Sequence, residues 1–195
     1  MSRLWIDARW CRKRQACYTD WRLARLFDRP MTLAQVLTRR DGRWRRVPAA
    51  DRLWPFFLAA PVAAKAVVAN RAADRQVRAY CLHSGVDAVE RWAARWLSGK
   101  DRSQAAAWWA SEAVRGTQRA CSDPARRSLC SAAFAATWAA RWVEARWADR
   151  AAACAAGAAA SKESEKARRA ERLAQLAVAI EVLAGDDAAE ETKHG

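Results

Sequence analysis

A chain of 195 residues with 52% hydrophobic content is long enough to bury a core without disulfides or a structural metal, and too apolar to be a charged disordered tail. Its formal charge of +14 is uneven: residues 1–50 hold 13 Lys/Arg against 4 Asp/Glu, a net +9, and the other 145 hold 22 against 17, a net +5. Such a surplus argues against a basic target and for an acidic partner surface. Residues 1–7 lack the uninterrupted apolar run of a secretory signal. The most apolar stretch, 54–69, is interrupted by Pro55, Pro61 and Lys65 and falls short of the ~18 apolar residues of a membrane span. A cytoplasmic location is therefore expected. The six cysteines, at 11, 17, 81, 121, 130 and 154, form no C-x-x-C pair and no zinc-like spacing. They read as small buried thiols of a reducing compartment.

In chain order, residues 3–28 read as helix, with Cys17, Trp21 and Ala24 on the inner face, widened by Leu23 and Phe27, and Arg22, Arg25 and Asp28 pointing away. The run Arg12-Lys13-Arg14 interrupts that pattern. Pro30 ends the element. Thr32 and Gln35 form a capping box for a short helix carrying Leu33, Val36 and Leu37, with Met31 placed to staple onto Val36. Residues 39–46 then read as a solvated loop, because a hairpin turned at Asp41-Gly42 would set Arg40 against Arg43. Pro48 opens a third short helix that hands over near Pro61 to an apolar helix over 62–82. Its inner face runs through Ala63, Ala66, Val67, Asn70, Ala73, Val77 and Tyr80, with Arg71, Arg75 and Arg78 outside. Gly85 stops it. Asp87 with Glu90 caps a helix whose buried stripe is Val89, Trp92, Ala93 and Trp96, closed by Gly99. Asp101 with Gln104 caps the next, which Gly116 weakens.

Residues 103–160 alternate Ala runs with Trp108, Trp109, Trp138, Trp142 and Trp147. Ala is the cheapest residue to place in a helix, and indoles supply the bulk that Ala lacks. Asp123-Pro124 starts a helix whose stripe runs Leu129, Ala133, Ala136, Ala140, Val143, Trp147, Cys154, Ala158, with a break offered near Gly157 to Ser164. Whether 124–183 is one rod or a hairpin stays open. The last helix, about 162–184, carries Leu173, Leu176, Ile180 and Leu183, with Glu165 to Arg169 on its wet face, and Gly185 ends it. The expected fold is all-α, a multi-helix bundle or helical array with Ala/Trp-rich long helices and no sheet. It divides into a basic N-terminal region (1–46), a helical body (47–185) and a disordered tail (186–195).

The segments Val47-Pro48-Ala49-Ala50-Asp51-Arg52-Leu53-Trp54, Ala88-Val89-Glu90-Arg91-Trp92-Ala93 and Trp96-Leu97-Ser98-Gly99, with the Ala-Ala-Trp helices that follow, resemble a group of alanine-rich helical proteins of bacteria and phages. Some of these are grouped as toxin-immunity proteins. The resemblance covers about residues 47–183 and implies an all-helical fold and an accessory role.

No convergent catalytic set is legible. His83 lacks metal-ligand neighbours at a recognisable spacing and reads as a cation at a helix C-terminus. Ser84, His83 and Asp87 are turn neighbours rather than a nucleophile, base and orienter. No Gly-rich phosphate loop follows a strand. The chain is therefore expected to be no enzyme, to need no cofactor or metal, and to act by binding a macromolecule, first of all a protein. An acidic protein suits +14 better than the basic toxins an immunity protein often meets. Self-association stays open, and an in-plane membrane helix over 3–27 is the weakest reading. The alternative is nucleic acid. Arg9, Arg12, Lys13 and Arg14 flank Trp10, and Arg39, Arg40, Arg43, Arg45 and Arg46 flank Trp44; arginine holds phosphates while indoles stack on unpaired bases. That reading requires the cations to converge on one face.

Overall fold

The computed structural model describes residues 5–16, 18–118, 124–140, 154–155 and 165–191. It is all-α as expected, but one pairing of two-residue strands corrects the expectation of no sheet: β1 (Trp5–Ile6) and β2 (Met31–Thr32) are antiparallel, with Trp5 opposite Thr32 and Ile6 opposite Met31. Between them lie α1 (Ala8–Lys13) and α2 (Asp20–Leu26), and α3 (Leu33–Thr38) follows β2. The single helix expected over 3–28 is thus divided. The Asp7 carboxylate caps α1 by accepting the Trp10 N–H at 2.7 Å, and Gln15, with φ of 55°, turns the chain before α2. The buried face of α2 is Leu23 and Leu26, while Ala24 is exposed; Cys17 and the Trp21 side chain lie outside the described residues. The capping box of α3 forms as the sequence indicates: Thr32 Oγ1 accepts from the Gln35 N–H at 3.2 Å, and Gln35 Oε1 from the Thr32 N–H at 2.9 Å. Ile6, Cys11, Leu23, Leu26, Met31, Val36, Trp44 and Val47 close an N-terminal core around these pieces.

Residues 42–46 correct the expected solvated loop. They form a 3-10 turn, Gly42–Arg46, entered through Gly42 at φ 46°. The body follows as α4 (Ala49–Ala59), α5 (Val62–Gln76), a π-helical turn (Val77–Cys81), α6 (Asp87–Leu97), α7 (Gln104–Gln118), α8 (Pro124–Ala140) and α9 (Glu165–Glu191). α5 is the axis, packed on both α8 and α9, and α4 also meets α9. Being covered on two sides, α5 does not bury the single face expected from Ala63, which is exposed. Ala64 and Val68 enter one core with Leu53, Phe56, Leu176 and Ala179, and Ala69, Ala72 and Ala73 enter another with Trp92, Trp96, Ala132 and Ala136. Small side chains let these helices approach, and indoles fill what remains. The stripe Val89, Trp92, Ala93 and Trp96 is buried as expected, with Trp96 Nε1 donating to Asp74 Oδ1 at 2.8 Å. Trp108 and Trp109 depart from the core reading, at 43% and 66% exposed.

Several ends also differ from expectation. Val86, not Asp87, is the N-cap of α6, and Glu90 Oε1 accepts instead from the Gly85 N–H at 2.8 Å. At α7 the capping oxygen is Ser103 Oγ, which accepts from the Ala106 N–H at 3.2 Å, while Asp101 Oδ1 accepts from Ser103. α7 runs on through Gly116, and α8 starts at Pro124 with Asp123 outside the described residues. The stripe proposed beyond Ala140 lies outside the described residues too, except helical Cys154–Ala155. α9 passes through Gly185 to Glu191, which corrects both the expected stop and the disordered tail over 186–191; a lone glycine costs a helix only ~1 kcal/mol against Ala and does not by itself end it. Leu173 is exposed rather than part of the buried stripe, and Arg168 rather than Arg169 reaches Glu165, at 3.5 Å. Among the described residues no helix is long and apolar enough to cross a membrane.

Candidate functional site

The 3-10 turn decides where the cations go. With three residues per turn, positions three apart eclipse, so Trp44 and Val47 share the inward edge and Arg43 and Arg46 share an outward one. Both inward residues are buried, and the three arginines are exposed. Trp44 is locked there: its Nε1 donates to the Leu26 carbonyl at 2.9 Å, and its ring stands edge-on to Phe27 with centroids 5.2 Å apart. Base stacking on Trp44, part of the nucleic-acid reading, is therefore corrected, since the indole is interior. Trp10 is half-buried, edge-on to Trp54 at 5.8 Å, with the Arg14 guanidinium 4.2 Å over its ring.

Beneath the turn lies Arg52, from the first turn of α4 and only 1% exposed. Its fork donates to three carbonyls: Nε to Val47 at 3.1 Å, one terminal nitrogen to Arg39 at 2.7 Å, and the other to Trp44. One rigid planar group thus ties the end of α3, the 3-10 turn and the residue after it. Burial, with the nearby Arg40 charge, pushes its pKa below the ordinary guanidinium value. Among the described residues no carboxylate pairs with it. The positive charge in the floor of the turn is therefore uncompensated by any ion pair there.

The expected cations separate into four groups, one of them Arg43 alone, which donates to the Arg25 carbonyl at 3.1 Å on the α2 side of the turn. Arg39 is committed to structure, with Nε on Asp41 Oδ1 at 2.6 Å and a terminal nitrogen on Asp28 Oδ1 at 3.2 Å. It holds both carboxyls below their ordinary pKa, and they raise its own. Arg9, Arg12, Lys13 and Arg14 are exposed on α1, where Arg12 faces Asp20 at 3.9 Å, and none of them lines the grooves described next. Arg40, Arg45 and Arg46 do converge, on a groove of about 610 Å³ between the start of α4 and the first turns of α9.

The opposite wall of that groove is Arg168, Arg169 and Arg172 of α9; of these the sequence singles out only Arg169, as a wet-face partner of Glu165. With Arg52 the lining holds seven arginines, against Glu165 as its one carboxylate. No described carboxylate lies within ion-pair distance of Arg40, Arg45, Arg46 or Arg169. Arg172 is half-buried, which pushes its pKa below the ordinary value, and it is aimed by donation to Gln175 Oε1 at 3.0 Å. Gln175 is in turn held by Glu171, whose buried carboxylate also takes Arg75 at 2.8 and 3.2 Å and Gln76 at 2.9 Å. Pro48, Ala49 and Ala50 bring the start of α4 to the same groove, and no side chain caps that end, so its positive dipole end adds to the field. The one sequence signal that could have found the α9 wall is the spacing Arg168, Arg169, Arg172, which sets three cations on one helix face.

Such a cavity can hold phosphate or carboxylate groups by charge-assisted hydrogen bonds, in the geometry guanidinium favours. Its lining, among the described residues, holds no His, Cys or Ser side chain. Among the described residues, no group of three His, Cys, Asp or Glu side chains could hold a metal ion. His83 is exposed, and Ser84 Oγ is engaged with the Val86 N–H at 3.3 Å. No protein-family model, curated protein or solved structure matches the chain at a significant level.

Proposed function

We propose that this chain is a non-enzymatic nucleic-acid-binding protein that holds the sugar-phosphate backbone in the α4/α9 groove. The observation that carries this reading is the lining of seven arginines against one carboxylate, assembled from two chain segments far apart in sequence. A polyanion is the ligand class for which such a field is favourable, since each neutralised phosphate releases condensed counterions. The interior position of Trp44 favours backbone contacts over base readout, hence binding that tolerates sequence.

The test is fluorescence anisotropy with labelled DNA and RNA across a salt series. Contact with about five phosphates of a single strand gives a slope of log K against log salt near −3.5, about −0.7 per phosphate. Changing Arg45 and Arg169 to Ala should flatten it by about 1.4. Binding that ignores salt, or that neither substitution alters, would overturn the proposal.

A second reading is an acidic protein partner, in the accessory role that the resemblance to alanine-rich bacterial and phage proteins implies. Its favouring observation is the exposed pair Trp108 and Trp109 on α7, edge-on with centroids 4.9 Å apart, since exposed indoles are enriched at the centre of protein interfaces.

A further inference from the structure

We infer that the ligand is a single strand, not a duplex, and that its backbone continues from the α4/α9 groove past Arg46 into a second groove between α2 and the 3-10 turn. This rests on the nucleic-acid reading above and adds the strandedness and the path. The second groove, about 430 Å³, is lined by Arg22, Arg25, Arg43 and Arg46, with Leu26, Gly42 and Val47 between them and no carboxylate.

Its construction follows from two periodicities. Arg22 and Arg25 are three apart on a short helix whose Leu23 and Leu26 face inward, so both guanidinium arms leave on the outer side. Arg43 and Arg46 are three apart on a 3-10 turn and eclipse. Two pairs of cations from different elements therefore flank one recess. Arg43 is held in place by donation to the Arg25 carbonyl at 3.1 Å, and the Arg22 guanidinium lies 4.5 Å over the Tyr18 ring. Arg46 and Val47 border both this recess and the α4/α9 groove, so the two form one tract on either side of the turn.

The shape of that tract selects the strandedness. Proteins that read a duplex insert a helix or ribbon into a groove about 12 Å wide, so their contact groups stand on a projection. Here the cations line recesses on both flanks of a ridge. A duplex has a persistence length of about 150 base pairs and cannot turn over one helical turn of protein without a large deformation cost, whereas a single strand can. A positively charged groove that tracks the backbone is the general solution for single strands.

The experiment uses the full chain, an unstructured labelled oligonucleotide of about 16 nucleotides, and a duplex of the same length. The single strand should bind at least about tenfold tighter at low salt, and Arg22→Glu with Arg25→Glu should weaken it at least about tenfold. Arg91→Glu, on the exposed side of α6, should change it less than about twofold. The pair Arg22→Ala with Arg25→Ala, confirmed folded by its melting curve, should show a smaller loss in the same direction. Equal or tighter duplex binding would overturn the inference, as would wild-type affinity in both Arg22/Arg25 variants; the nucleic-acid reading would survive either result. No binding of either oligonucleotide would remove that reading, and the inference with it.

Discussion

Arg52 places a full positive charge in the interior and satisfies it with backbone oxygens alone. Removing the fork takes one donor from each of three carbonyls, of which that of Trp44 keeps the Val47 N–H at 3.1 Å, so Arg52→Met should lower stability by about 2–4 kcal/mol in urea denaturation and also loosen the turn that presents Arg45 and Arg46. Arg52→Lys keeps the charge but cannot reach three acceptors at once, and should recover only part of the loss. Cys11 offers a second single-residue test. Burial first, and the Asp7 charge second, push its thiol from 9.0 up to about 11. Because the folded value lies above the ordinary one, the stability this group confers is full below pH 9 and is lost as pH rises from 9 to 11. Thermal melts should show that decline, and Cys11→Ala should flatten it. At pH 8 the native thiol should alkylate roughly a hundredfold more slowly than an ordinary one.

The docking of α9 on α5 rests on apolar contacts from Leu176 and Ala179 and on one buried carboxylate. Glu171 takes donors from Arg75, Gln76 and Gln175, so Glu171→Ala strands a half-buried guanidinium and should cost about 3–5 kcal/mol in chemical denaturation. The Arg71 to Glu181 bridge joins the same two helices at 2.7 Å but is exposed on both sides, and Arg71→Ala should leave the denaturation midpoint almost unchanged. The contrast shows what sequence can and cannot supply. Periodicity located most helices, the stripe of α6 and the capping box of α3, since those depend on neighbours three and four residues away. It could not tell that α5 is covered on two sides, because a helix of alanines carries little phase information. Nor could it find the 3-10 turn, where Trp44 among arginines has no helical period and its burial depends on a carbonyl from α2.

At the scale of the whole molecule, the surplus of cations in the first 50 residues was legible, but its partition was not. Arg9 to Arg14 sit apart at α1, Arg39 is held by two carboxylates, Arg43 faces the α2 side of the turn, and Arg40, Arg45 and Arg46 meet arginines from α9 that only folding brings near. A ligand on these walls should stabilise the fold: with an oligonucleotide at about 100 times its Kd, linkage supplies about 2.7 kcal/mol, seen as a Tm rise that added salt removes. Arg46 has a further consequence, because a single guanidinium borders two recesses. Two separate inorganic anions would compete for it, each satisfied at the other's expense. A continuous polymer escapes that rivalry, since tethering turns the second engagement into an intramolecular event at millimolar effective concentration. Avidity should then climb abruptly once the chain is long enough to straddle the turn, with mononucleotides remaining poor competitors at any sequence.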